Sequence, residues 1–144
     1  MRWFRAKLRR KSGRRTLLSF EERRRSLRAY GGFRRGRATV EVSRIVGSAG
    51  KHDWFDEAFM PLRAYSRERW KRIDRAFQLG HELPPVILYK LGDHYFVKDG
   101  NHRVSVARFH GAEWIDSEVT EFGIMRSESG NGPMASPVPD SAWW

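Results

Sequence analysis

The chain has no cysteine. That excludes disulfides, thiolate nucleophiles and cysteine-type zinc sites, and it suits a reducing, cytoplasmic setting. No apolar run approaches the ~20 residues that cross a bilayer as a helix, so a soluble or peripheral protein is expected. No internal repeat marks a solenoid or an array. Lysine is scarce beside arginine, 6 against 22. A GC-rich genome alone would give that bias, so meaning attaches to the charge and not to the residue type. The five histidines (His52, His81, His94, His102 and His110) show no i,i+4 pair, and no metal site is expected from them.

Acidic residues are scarce in one place only. Residues 1–37 hold 15 Lys and Arg against Glu21 and Glu22, a surplus of +13, while the remaining 107 residues hold 13 basic and 15 acidic side chains. The whole charge of the chain, +11, thus belongs to its first quarter. This reads as a basic N-terminal arm, partly helical, that contacts nucleic acid through Arg9, Arg10, Arg14, Arg15, Arg23, Arg24 and Arg25 without reading bases. Anionic lipid is the other polyanion that such charge attracts. The acid-free opening also has the composition of a presequence, but no small-residue cleavage site follows it.

Within the arm, Ser19 followed by Glu22 has capping-box spacing and starts a helix that Gly31-Gly32 ends. A domain is expected over 38–122. Alternating β-branched residues at 39–46 predict a strand with Val40 and Val42 on one face. A short helical piece is expected at 54–59. Ser66 caps a helix to Leu79 in which Trp70, Ile73, Ala76 and Phe77 share a face. After Leu83-Pro84-Pro85 come strand 86–90, a tight turn at Gly92-Asp93 and strand 95–98 of a hairpin. A helix over 102–109 and a strand over 114–122 complete a β-α-β-β-α-β order. This is an α+β domain with a small mixed sheet, a central hairpin and packed helices. Trp54, Phe55, Phe59, Trp70, Phe77, Phe96 and Trp114 are the expected core. Residues 123–144 are rich in Ser, Gly, Pro and Asn, the composition of a disordered tail.

Chemistry is expected at Asp99-Gly100-Asn101-His102-Arg103, where a strand runs straight into a helix. The first N–H groups of a helix lack intrahelical partners and carry partial positive charge, so an anion fits there. Gly100 permits a positive φ and a close approach to the backbone. Asn101 is suited to cap the helix, His102 and Arg103 to donate from its first turn, and Arg103 to hold phosphate as a bidentate fork. Asp99 is placed to hold a metal or accept a hydroxyl proton, which makes it the candidate catalytic residue. The same pentapeptide is equally an ordinary turn with a surface ion pair. Gly47-Ser48-Ala49-Gly50-Lys51 is a second loop able to face phosphate, or a plain connection, since it lacks full P-loop spacing. Asp53, Asp56 and Glu57 form an acidic group suited to a metal or to a solvated helix start. Arg67, Arg69, Lys71, Arg72 and Arg75 read as a solvated helix face or an extension of the basic footprint.

The Pro84-Pro85 strand, the Tyr95-Phe96-Val97 return strand and the box Asp99-Gly100-Asn101-His102-Arg103 resemble the ParB/sulfiredoxin superfamily, over about residues 38–122. The resemblance implies that Gly100, Asn101, His102 and Arg103 hold nucleotide phosphates, with ATP, ADP or CTP plus Mg²⁺ as candidate ligands and a homodimer as a candidate state. Sulfiredoxins carry a catalytic cysteine where Asn101 stands, which excludes their chemistry here. Partitioning ParB proteins carry a Glu at that place and a helix-turn-helix domain afterwards. The nearest box is the Asp-Gly-His-His-Arg version of stand-alone ParB-like domains and a free-serine kinase. The implied function is a nucleotide-phosphate-binding module with a nucleic-acid-binding arm; the alternatives are a small-molecule kinase or phosphohydrolase, or a nuclease.

Overall fold

The computed structural model describes residues 15–125. In chain order the elements are β1 (Leu18–Ser19), α1 (Phe20–Leu27), β2 (Ala29–Glu41), β3 (Ile45–Ser48), α2 (Arg67–Gln78), β4 (Val86–Leu91), β5 (His94–Asp99), α3 (Asn101–Phe109) and β6 (Trp114–Ile124). All six strands join one mixed sheet of order β1-β3-β5-β4-β6-β2. β3 is parallel to β5 and β4 to β6, while the β4–β5 hairpin in the middle is antiparallel. The fold is α+β with a mixed sheet and a central hairpin, as expected. No helix among the described residues is long and apolar enough to cross a membrane.

Alternation along the strands fills two cores, one on each face of the sheet. In β5, Tyr95 and Val97 join Val86, Leu88, Val104 and Val119 on one face. Phe96, between them, packs with Phe20, Tyr89 and Phe122 on the other. α1 covers that second face through Phe20, its one buried residue, whose ring lies 4.8 Å from Tyr89 and 5.4 Å from Phe122. α3 covers the first face, and α2 packs outside it through Trp70, Met60 and Val106. The Trp70 indole N–H, which burial would otherwise leave unpaired, donates to Ser105 Oγ at 2.9 Å.

Five expectations require correction. The boundary at residue 38 falls inside β2, whose pairing with β6 runs from Ala29↔Ile124 to Glu41↔Trp114. β1, α1 and the first part of β2 therefore belong to the folded unit, the two strands as members of its sheet. Charge concealed this, because a strand at the sheet edge tolerates arginines that a central strand would not. The strand expected over 39–46 is two strands, split by a 3₁₀ turn at Val42–Arg44 that carries the chain from one half of the sheet to the other. The helical piece at 54–59 is a 3₁₀ turn at His52–Trp54. Beyond it, buried Asp56 accepts the N–H groups of Ala58 and Met60 at 2.8 and 2.9 Å, so this acid is occupied in building a turn. Trp114, expected in the core, is 55 % exposed. At the C-terminal end, Gly123 and Ile124 still pair with β2, so the sheet runs past residue 122, and residues 126–144 of the expected tail lie outside the described residues.

Candidate functional site

Strands β3 and β5 run parallel, and both chains leave the sheet at their C-terminal ends on the same side. In α/β sheets that is where loops converge and ligands bind. Here the loop after β3 supplies Ala49 and Lys51, and the turn after β5 supplies Lys98, Asp99 and Gly100. α2 adds Arg69 and Ile73, four residues apart and so on one helix face. Together with the start of α3 they line a pocket of about 180 Å³. That is below the ~300–1,000 Å³ of pockets that enclose whole small molecules, and closer to the scale of a phosphate group.

Gly100 is the N-cap of α3 with φ +107, and no side chain caps the helix. A Cβ at Gly100 would lie 2.7 Å from Val86 Cγ1, so both conformation and space demand glycine. Asn101 is thus the first helical residue and not the cap that its position in the box suggested. Its side chain is 6 % exposed, lines the pocket, and has an Oδ1 that meets no donor. Val104 N–H reaches Gly100 O at 3.0 Å and begins the helical ladder. The N–H groups before it point out of the helix end, toward the pocket.

His102 and Arg103 do not play the parts expected of their side chains. His102 is buried, its Nε2 2.9 Å from Ser66 Oγ and its ring edge-on to Phe55. Burial first, then the charges of Arg69 and Lys51, pushes its pKa down to about 4. It is therefore neutral at pH 7 and supplies no positive charge. Arg103 spends its fork inside the protein: Nη1 donates to the Pro84 and Pro85 carbonyls at 2.7 and 3.1 Å, and Nη2 to Asp99 Oδ2 at 3.0 Å. It ties the start of β4 to the end of β5. Asp99 is the carboxylate that completes this clamp.

The positive charge at the pocket comes instead from Lys51, Arg69 and Lys98. None of the three makes an ion pair with a described residue; Lys51 lies over the Trp54 ring at 4.8 Å. The 47–51 loop was legible as a possible phosphate wall, and the structure does bring it to the box. Arg69 was legible only as one of many surface cations. The signal that singles it out is its i,i+4 relation to Ile73, a residue half-buried against the α2–α3 core. Lys98 carried no signal beyond its neighbour Asp99. Of the arm residues, Arg9, Arg10 and Arg14 lie outside the described residues. Arg15 is exposed, Arg23, Arg24 and Arg25 lie on α1, and none of the four is among the residues that line the pocket.

No family model and no curated protein matches the chain. Among solved structures it is similar to sulfiredoxin from Arabidopsis thaliana, with 12 % identity and a TM-score of 0.44, covering 58 % of this chain and 82 % of that one. The likeness concerns the course of the backbone, and no activity passes with it.

Proposed function

We propose that the protein is a phosphate-binding module that takes the phosphates of a nucleotide at the N-terminus of α3, and that its basic N-terminal region holds nucleic acid. One observation carries the first half. An uncapped helix end and Lys51, Arg69 and Lys98, none of which pairs with a described acid, converge on one phosphate-sized pocket. Gly100, Asn101, His102 and Arg103 then act through backbone and scaffold: N–H groups hold the anion, His102 and Arg103 fix the loop, and the three cations neutralise charge. The second half rests on Arg23, Arg24, Arg25, Arg28 and Arg34, none of which pairs with a described acid.

The test is calorimetric titration with ATP, ADP, CTP, GTP and pyrophosphate, each with Mg²⁺, against wild type and the Lys51→Ala and Arg69→Ala variants. Saturable binding that weakens about tenfold per lost cation, roughly 1.4 kcal/mol each, with unchanged melting, is expected. Absence of binding, or equal affinity in the variants, overturns the assignment.

A further inference from the structure

Two exposed aromatic rings stand in the most basic part of the chain. Tyr30 and Phe33, 55 % and 54 % exposed, lie on β2 opposite Gly123 and Glu121 of β6. Opposed residues of antiparallel strands share a face, as do alternate residues of one strand, so the two rings share the face of Glu121 and Val119. At Val119 that face is closed by the core, at 1 % exposure; from Glu121 outward it opens. Two rungs of β6 separate the rings, about 7 Å at the ~3.4 Å rise of a strand. Both rings rest against glycine. The Tyr30 ring fills the space a side chain on Gly123 would need, 2.5 Å from its Cβ position, and Phe33 lies 3.4 Å from that of Gly31. The rings are thus seated on backbone, with about half of each residue exposed.

The surroundings are cationic. No acid occurs between Glu22 and Glu41, while that span holds Arg23, Arg24, Arg25, Arg28, Arg34 and two further arginines. Only Arg35 and Arg37 pair with described acids, Glu121 at 3.1 Å and Glu118 at 3.6 Å. Among the described residues β2 is also an end strand of the sheet, open along one edge.

We infer that this face of β2 and β6 binds single-stranded nucleic acid, with bases stacked on Tyr30 and Phe33 and the phosphate backbone following the open edge past Arg28 and Arg34. The inference rests on the proposed nucleic-acid role of the basic region and gives it a location and a strandedness. Paired aromatics inside a cationic track suit single strands, because every base has a π face to stack while duplex bases are already stacked on each other. Sequence preference is accordingly weak.

Fluorescence anisotropy of the full chain with a labelled oligothymidylate and with a duplex of equal length tests this. The double variant Tyr30→Leu, Phe33→Leu keeps apolar cover over the glycines and removes the π faces. It is expected to lower single-strand affinity by about tenfold or more, while duplex affinity, nucleotide binding and melting stay as in wild type. Arg28→Gln with Arg34→Gln should instead make the fall of affinity with salt shallower by roughly two counterions. Single-strand affinity unchanged in the Leu variant, or duplex bound as well as single strand, overturns the inference and leaves the basic region as a plain backbone contact. No binding to either nucleic acid, with binding to phosphatidylserine vesicles, overturns the nucleic-acid role itself.

Discussion

The box at residues 99–103 and the edge strand at 29–41 are both rich in charged side chains, and they handle them in opposite ways. In the box the guanidinium of Arg103 is consumed by two carbonyls and a carboxylate, and the imidazole of His102 is buried and neutral. Along α1 and β2 most of the arginines pair with no described acid. The lesson is that a charged residue inside a motif need not be the charge that meets the ligand. A tight strand–helix turn must first be held together, and the residues nearest to it are recruited for that. The charge that faces the pocket then comes from further away, here Lys51 and Arg69.

That contrast breaks most readily at Gly100. Gly100→Ala places a Cβ 2.7 Å from Val86 at φ +107, combining a backbone penalty of about 1–2 kcal/mol with overpacking of roughly 1–3 kcal/mol. Chemical denaturation should report the largest loss of any single substitution named here, and phosphate binding should go with it. A variant of wild-type stability would mean that the turn is plastic and its glycine incidental.

Arg103→Ala comes next. It leaves the Pro84 and Pro85 carbonyls and Asp99 without their donor, and charge-assisted hydrogen bonds of this kind are worth about 1.5–3 kcal/mol. A lowered melting temperature is therefore expected together with any loss of nucleotide affinity. If melting is unchanged and affinity alone falls, Arg103 is a ligand-facing residue after all and the contrast between box and edge strand fails.

These two residues show what the sequence could and could not reveal. The hairpin was legible because Pro84-Pro85, an apolar run and Gly92-Asp93 punctuate it locally. The strand–helix turn at Gly100 was legible because a glycine there separates an apolar strand from a run of helical spacing. The role of Arg103 was not, because its acceptors lie 18 and 19 residues away in sequence and are backbone atoms, which leave no trace in residue type. β2 was missed for a related reason: its partner β6 lies at the far end of the chain, and its glycines and arginines imitate a solvated arm. Pairing across such a distance is decided by tertiary contact, which local propensity does not record.

His102 sharpens the contrast by pH. Its pKa is lowered to about 4 in the fold, against roughly 6.5 in an unfolded chain. Between those values the unfolded state binds the extra proton, so stability rises with pH across that window. The contribution is complete above about pH 6.5, is lost progressively as pH falls toward 4, and changes no further below it. A shift of this size corresponds to about 3 kcal/mol. Thermal melting from pH 7 to 4 should show this slope in wild type and a flatter one in His102→Gln. An equal slope in the two proteins would place the acid sensitivity on other groups.

The smallest effect is expected on the edge strand. Arg34 is exposed and meets no described acid, and surface substitutions of that kind stay within about 0.5 kcal/mol. Arg34→Gln should therefore melt as wild type does. What changes is the cost of gathering positive charge near α1, where Arg24, Arg25 and Arg28 lie close in sequence to the start of β2. Mutual repulsion of unpaired cations is screened by salt, so the wild type should gain more stability from added salt than Arg34→Gln does. Such a difference would mean that the fold bears an electrostatic cost at this edge and that a polyanion relieves it. Identical salt responses would mean that the arginines are far enough apart to ignore each other, and the edge strand would then owe its charge to solubility and to protection against pairing with a second sheet.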